Sequence, residues 1–194
     1  MNKKLIAAAI LALSGAAQAD VTVFTDNFDS NGLGLNATPS GWSVSSGTVD
    51  IIGNSGFFDF IPGSGRYIDL DGSTSNAGVL SRDFLMTAGT HYTVSFDLAG
   101  NHRNGAAESV AVNFGGASAN YSLSQNAGWT TFSLVFTPSV TKSYTLSFEN
   151  SGGDNIGMLL DNVSVHAVPE PETYAMMLAG LGLMGAIARR RRMA

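Results

Sequence analysis

Apolar and polar residues alternate along the middle of this chain. Tyr92, Val94, Phe96 and Leu98 are interleaved with Thr93, Ser95 and Asp97, the two-residue period of a strand with one face buried. Phe132, Leu134 and Phe136 repeat the pattern, as do Tyr144, Leu146 and Phe148, and Val110, Val112 and Phe114 form a shorter copy. Weaker runs cover 21–25, 42–46, 49–52, 66–70, 77–85, 119–123 and 158–166. Turn formers separate them: Asp71-Gly72, Asn126-Ala127-Gly128 and Ser151-Gly152-Gly153-Asp154. No stretch from Val21 to His166 keeps a helical period for three turns. About ten short strands at this spacing predict an all-β fold, an antiparallel jelly-roll sandwich. Without an internal repeat or a low-complexity block, residues 20–166 read as one domain.

The two ends follow other patterns. Met1 to Lys4 are basic, Leu5 to Ala17 are almost wholly apolar, and Ala17-Gln18-Ala19 is a small-x-small site. This layout predicts a signal peptide over 1–19, cut by signal peptidase between Ala19 and Asp20. Its apolar core is short against the roughly 20 residues a membrane span needs. At the other end, 167–173 form a stiff acidic linker, because Pro169 and Pro171 fix φ. An apolar run over 174–188 and a basic tail over 189–194 follow. That order predicts a short transmembrane helix with Arg189 to Arg192 held on the cytoplasmic side.

Composition narrows the function classes. With 44% hydrophobic residues and only 13% charged, the chain has enough apolar surface for a core and is not a disordered one. From Asp20 to Val168 there are 13 acidic residues against four basic ones, Arg66, Arg82, Arg103 and Lys142. No basic patch serves phosphates, so nucleic acid is excluded as a partner. There is no Cys, which removes disulfides, thiolate nucleophiles and cysteine-bound metals.

Particular residues stand out within this frame. Leu159, Asp161, Val163 and Val165 share one parity in the last strand. Asp161 is therefore expected on the same face as apolar side chains, where a carboxylate needs donors or a cation. The loop after Gly100 holds Asn101, His102, Arg103, Asn104 and Glu108, the densest polar cluster of the domain. Sugar recognition wants such planar polar groups beside an aromatic platform, and Trp42, Trp129 and Tyr121 are the rings available to the pattern. Asn101, His102, Arg103 and Trp42 are thus the expected ligand residues. Asp69-Leu70-Asp71-Gly72 reads as a turn.

For catalysis the pattern offers little. Ser64 has no Gly-x-Ser-x-Gly elbow and no His-Glu-x-x-His occurs, although carboxylates for a glycosidase pair are present. The expectation is a protein that is not an enzyme: a carbohydrate binder, or alternatively an adhesin or biofilm scaffold without a small ligand. An exposed aromatic row on one sheet would favour the first, and a Ser/Thr surface the second.

Two resemblances sharpen these expectations. Pro169-Glu170-Pro171, a short apolar run and terminal arginines resemble the PEP-CTERM sorting signal of Gram-negative bacteria. That resemblance implies recognition by a membrane exosortase, processing near Pro169-Glu170-Pro171, anchorage in the inner membrane beforehand, and delivery to the cell surface or exopolysaccharide matrix. Within the domain, Asp26-Asn27-Phe28-Asp29, Trp42, Tyr67-Ile68-Asp69-Leu70-Asp71-Gly72, Gly89 to Phe96, Gly128-Trp129 and Leu160 to Val165 resemble galactose-binding-like jelly rolls. These include bacterial carbohydrate-binding modules and a secreted domain family of plant cell walls, whose cysteines this chain lacks. The resemblance implies a polysaccharide ligand. It also implies a structural Ca²⁺ where first and last strands meet, with Asp26, Asp29 and Asp161 as metal ligands alongside Asn27.

Overall fold

The computed structural model describes residues 20–56, 58–103 and 107–168, together with a few helical residues at 180–182 and 184–185. The expected signal peptide, Ala19, and the processing residues Pro169, Glu170 and Pro171 lie outside the described residues, as does most of the 174–188 run. Among the described residues no helix is long and apolar enough to cross a membrane.

Each alternating run of the sequence becomes a strand. In chain order they are β1 (Val21–Asp26), β2 (Ser43–Ser45), β3 (Asp50–Gly53), β4 (Arg66–Asp69), β5 (Val79–Met86), β6 (His91–Ala99), β7 (Glu108–Phe114), β8 (Ala117–Leu123), β9 (Thr130–Phe136), β10 (Lys142–Asn150) and β11 (Leu159–Val168). They form two antiparallel sheets. The six-stranded one runs β3-β4-β11-β6-β9, with β1 also on β11, and the five-stranded one runs β2-β5-β10-β7-β8. The fold is the expected jelly-roll sandwich.

Alternation explains the layering. Val94, Phe96 and Leu98 of β6 face Leu146 and Phe148 of β10 and Val110, Val112 and Phe114 of β7, and all are fully buried. Each such side chain contributes about 1.5–3 kcal/mol by leaving water. Most outward residues of the five-stranded sheet are small or polar, and Leu85 is the large apolar exception. Ser43, Ser81, Ser147, Asn113 and Ser118 stand in one row across all its strands.

β3 and β4 depart from one-face burial, because the connection over 54–65 covers the outer face of their sheet. There Ile52, Tyr67, Ala99 and Leu159 form a second apolar cluster with Phe60, Ile61 and Trp129. The Tyr67 hydroxyl ties this cover down, accepting from Phe60 N at 2.6 Å and Ile61 N at 3.0 Å and donating to Asp59 at 3.2 Å.

β11 contains a correction to the strand pattern. Asp161 pairs with Asp97 but Ser164 pairs with Ser95, so a bulge places Asn162 and Val163 opposite a single residue. Asn162 sits at φ 50°, a left-handed conformation that Asn tolerates. The bulge reverses the parity: Leu160 and Val163 both reach the main core, whereas Leu159 lies in the outer cluster. Asp161 therefore does not share a face with Val163 and Val165. It is still only 3% exposed.

Candidate functional site

The loops that follow β4, β6, β8 and β10 meet at one end of the sandwich. Gly100 N donates to Ala127 O at 2.9 Å and His102 N to Gln125 O at 2.8 Å, while Leu70 N donates to Met158 O at 3.1 Å. Asp71, which reads in sequence as part of a plain turn, is fully buried. Its Oδ2 accepts from Gly153 N at 2.8 Å and Asp154 N at 3.2 Å, fixing the β10–β11 loop. A side chain at Gly152 would run into that carboxylate at Asp71 Oδ2.

Arg103 is the joint of this end. Its Nη2 pairs with the Asp69 carboxylate, its Nη1 donates to Asn155 O at 2.6 Å, and its guanidinium lies 4.7 Å from the Phe60 ring centre. Burial pushes the Asp69 carboxyl up to about 7, with the Arg103 charge pulling the other way. A buried carboxylate holds its charge poorly unless a cation faces it. Beneath the joint, Asn101 is fully buried and its Oδ1 accepts from Arg103 N at 2.7 Å. Asn101 Nδ2, Arg103 Nε and Asp71 Oδ1 are buried without a hydrogen-bond partner among the described residues. His102 takes a φ of 52° and places Nε2 3.1 Å from Ala127 O.

The rim of the joint is aromatic. Phe60 stacks on Phe58 with ring centres 6.0 Å apart and planes at 26°. Phe58 is 50% exposed and has a φ of 56°, an outlying backbone for a bulky residue and of the kind that clusters at functional sites. The arrangement offers a ring to solvent beside polar loops, on a rigid support. It suits binding.

The expected ligand residues divide. Asn101, His102 and Arg103 are together here. Trp42 is elsewhere: it is 6% exposed in the main core, packed on Phe24, Phe28 and Phe148, and its Nε1 donates to Asp26 at 2.8 Å. It has no free face for a sugar. Tyr121 faces inward onto Phe96 and Phe132, and Trp129 lies under the cover with Nε1 donating to Ser64 at 2.9 Å. The ring at the rim is instead Phe58, whose only signal in the sequence is an aperiodic run, Gly56-Phe57-Phe58-Asp59-Phe60.

Of the expected metal ligands, Asp26 lines a separate cleft of about 530 Å³ with Thr25, Asn27, Ser30, Asn162, Val163 and Ser164, and Asp29 and Asp161 do not line it. Asp26 accepts from Phe28 N and Trp42 Nε1, both at 2.8 Å. Asp29 accepts from Arg66 N and Asn27 Nδ2, also at 2.8 Å. Asp161 accepts from Asn162 N at 2.7 Å. Burial pushes the Asp161 carboxyl up to about 7; that hydrogen bond opposes the shift, and the charges of Asp29, Asp97 and Asp26 add to it. Both oxygens of Asp26 and of Asp29 are thus already engaged. No three acidic or imidazole side chains among the described residues converge to hold a metal ion. Among the described residues the donor set forms a hydrogen-bonded corner and assembles no Ca²⁺ cage.

By fold this is a two-sheet jelly-roll sandwich with its candidate site in the loops at one end. The chain belongs to the family described as "Protein of unknown function (DUF642)", which matches residues 24–166. Residues 167–192 match the PEP-CTERM protein-sorting motif, the mark of an exported, membrane-sorted protein. No curated protein matches the chain. Among solved structures, the K3 cleaved adhesin domain of Lys-gingipain from Porphyromonas gingivalis W83 superposes with a TM-score of 0.54 at 14% identity, covering 76% of this chain and 99% of that one. The K1 adhesin domain of the same protein gives 0.52 at 13%, covering 77% and 99%. Clostridium thermocellum endo-1,4-beta-D-xylanase 10B, its CBM22-1 and GH10 modules solved with xylohexaose, gives 0.50 at 15% and covers 79% of this chain. The chain spans 29% of that xylanase chain.

Proposed function

We propose that this protein is a non-enzymatic carbohydrate binder of the bacterial surface, recognising a matrix exopolysaccharide through the loop end built on Arg103. In this reading signal peptidase removes residues 1–19, and an exosortase acts on the tail near Pro169-Glu170-Pro171 before the domain reaches the cell surface or matrix. The carrying observation is the half-exposed Phe58 ring, backed by Phe60 and Arg103 beside the Asn101–His102 loop. Aromatic faces stack on the apolar faces of sugar rings, and nearby polar groups select among hydroxyls. The likeness in fold to a protein containing a carbohydrate-binding module supports the same reading.

The test is retention of the full chain by immobilised polysaccharides, compared with Phe58→Ala. Because Phe58 is 50% exposed, its truncation is expected to leave Tm within about 2 °C. Loss of the stacked face is expected to weaken retention at least ~10-fold. Unchanged retention at unchanged Tm would remove this site from the reading.

A second reading, an adhesin or scaffold without a small ligand, has its own observation. The outer face of the five-stranded sheet carries the row Ser43, Ser81, Ser147, Asn113 and Ser118 and no aromatic ring. Full-chain adhesion that is insensitive to Phe58→Ala would favour it.

A further inference from the structure

We propose that the polysaccharide taken at this loop end is uncharged, so that polyuronates and other anionic polymers are rejected. This rests on the carbohydrate reading and adds the class of ligand to it.

The basis is where the domain's few cations go. Arg66 donates through Nη1 to Asp29 O, at 2.6 Å, and to Asn31 O. Arg82 donates to Gly41 O at 2.7 Å and lies 4.2 Å from the Phe24 ring centre. Lys142 stands at the opposite end of β10 from the site, 5.0 Å from the Tyr144 ring centre. Arg103 alone is at the loop end, and it is held by the Asp69 carboxylate, Asn155 O and the Phe60 face. All three arginines are therefore committed to the protein itself. At the loop end both Nη groups of Arg103 are engaged, so they do not clamp a carboxylate or sulfate in the paired geometry that anion recognition uses.

The surrounding charges are negative. Asp59 anchors the cover through Ser55 N at 2.7 Å and the Tyr67 hydroxyl. Asp69, Asp71, Glu108 and Asp154 stand around the joint. The Glu108 carboxyl is raised first by burial and then by the charges of Asp154 and Asp71, with Arg103 opposing them. The same field meets any anionic ligand, and salt screens it only beyond about 10 Å at 0.1 M. The polar atoms left over in the corner are of both kinds, donors on Asn101 and Arg103 and an acceptor on Asp71. A buried water serves both roles, and the atoms lie out of reach of a ligand carboxylate.

The experiment runs the full chain in detergent through gels carrying either neutral polymers (galactan, xylan, β-glucan) or polyuronates (polygalacturonate, alginate), at low and high salt. A neutral polymer is expected to retard the chain, with less than about 2-fold change across the salt range. Phe58→Ala is expected to lose that retardation by at least ~10-fold. Polyuronates are expected to give none, even at low salt. Retention by a polyuronate alone, weakened by salt and by Phe58→Ala, would overturn the charge inference and leave the carbohydrate reading standing. Retention by neither class, from a chain shown folded by its melting transition, would overturn both.

Discussion

At the scale of single residues, Asp161 shows what sequence parity can and cannot say. Its burial is readable, because a strand so rich in Leu and Val has little exposed room. Its face is not, because the bulge at Asn162–Val163 leaves no mark in a two-residue period. The carboxyl is raised from the ordinary 3.8 to about 7, which makes it a pH-dependent burden. Below about pH 4 both folded and unfolded chains hold the proton and there is no penalty. As pH rises towards 7 the unfolded chain ionises first, so stability is lost across that window and stays lost above it. Asp161→Asn keeps an acceptor for Asn162 N and removes the titration. Its Tm is expected to match the wild type near pH 4 and to exceed it by about 5 °C at pH 8. Equal melting curves at both pH values would show that Asp161 is not buried with its acidic neighbours.

At the scale of elements, the strands and the polar 101–103 loop were legible, and the meeting of that loop with its neighbours was not. Alternation is a local property, and β6, β7, β9 and β10 show it plainly. The Arg103–Asp69 pair joins positions 34 apart, and no local pattern encodes such a meeting. The same limit hid the exchange between Trp42 and Phe58. Both are aromatic residues near turns, and only tertiary packing buries the first and exposes the second. Arg103 holds the β6–β7 loop to the end of β4, the β10–β11 loop and the β3–β4 cover at once. Arg103→Ala should loosen all of them and leave the Asp69 carboxylate buried without its cation, a loss of about 3 kcal/mol at pH 8. Removing the cation raises the Asp69 carboxyl further above its present value of about 7. At pH 5 the folded variant therefore keeps the proton there, and the loss is expected to fall to about half. Tm differences between variant and wild type at the two pH values measure this. A loss independent of pH would mean that the pair acts through packing alone.

At the scale of the whole domain, β11 sets the geometry. It begins at Leu159, paired with Asp69 and Ala99 at the mouth of the candidate loops. It ends at Val168, where the chain passes into the sorting motif. Val21 pairs with Ala167, so the expected mature start and the exit to the tail lie side by side. Ten residues of strand separate that corner from the loop end, about 30 Å at 3.3 Å per residue. Within the domain, the loop end that carries the Phe58 rim and the C-terminal exit therefore lie at opposite ends of β11. The absence of Cys makes this testable, because one introduced thiol fixes the direction of coupling to a sensor surface. Coupling through a Cys added after Ala194 is expected to leave polysaccharide capture equal to that of the chain in solution. Coupling through Pro62→Cys, an exposed position on the β3–β4 cover, is expected to reduce it at least ~10-fold by blocking the rim. Capture lost through the C-terminal thiol and kept through position 62 would place the ligand at the tail end and turn attention to the cleft between Asp26 and Asn162.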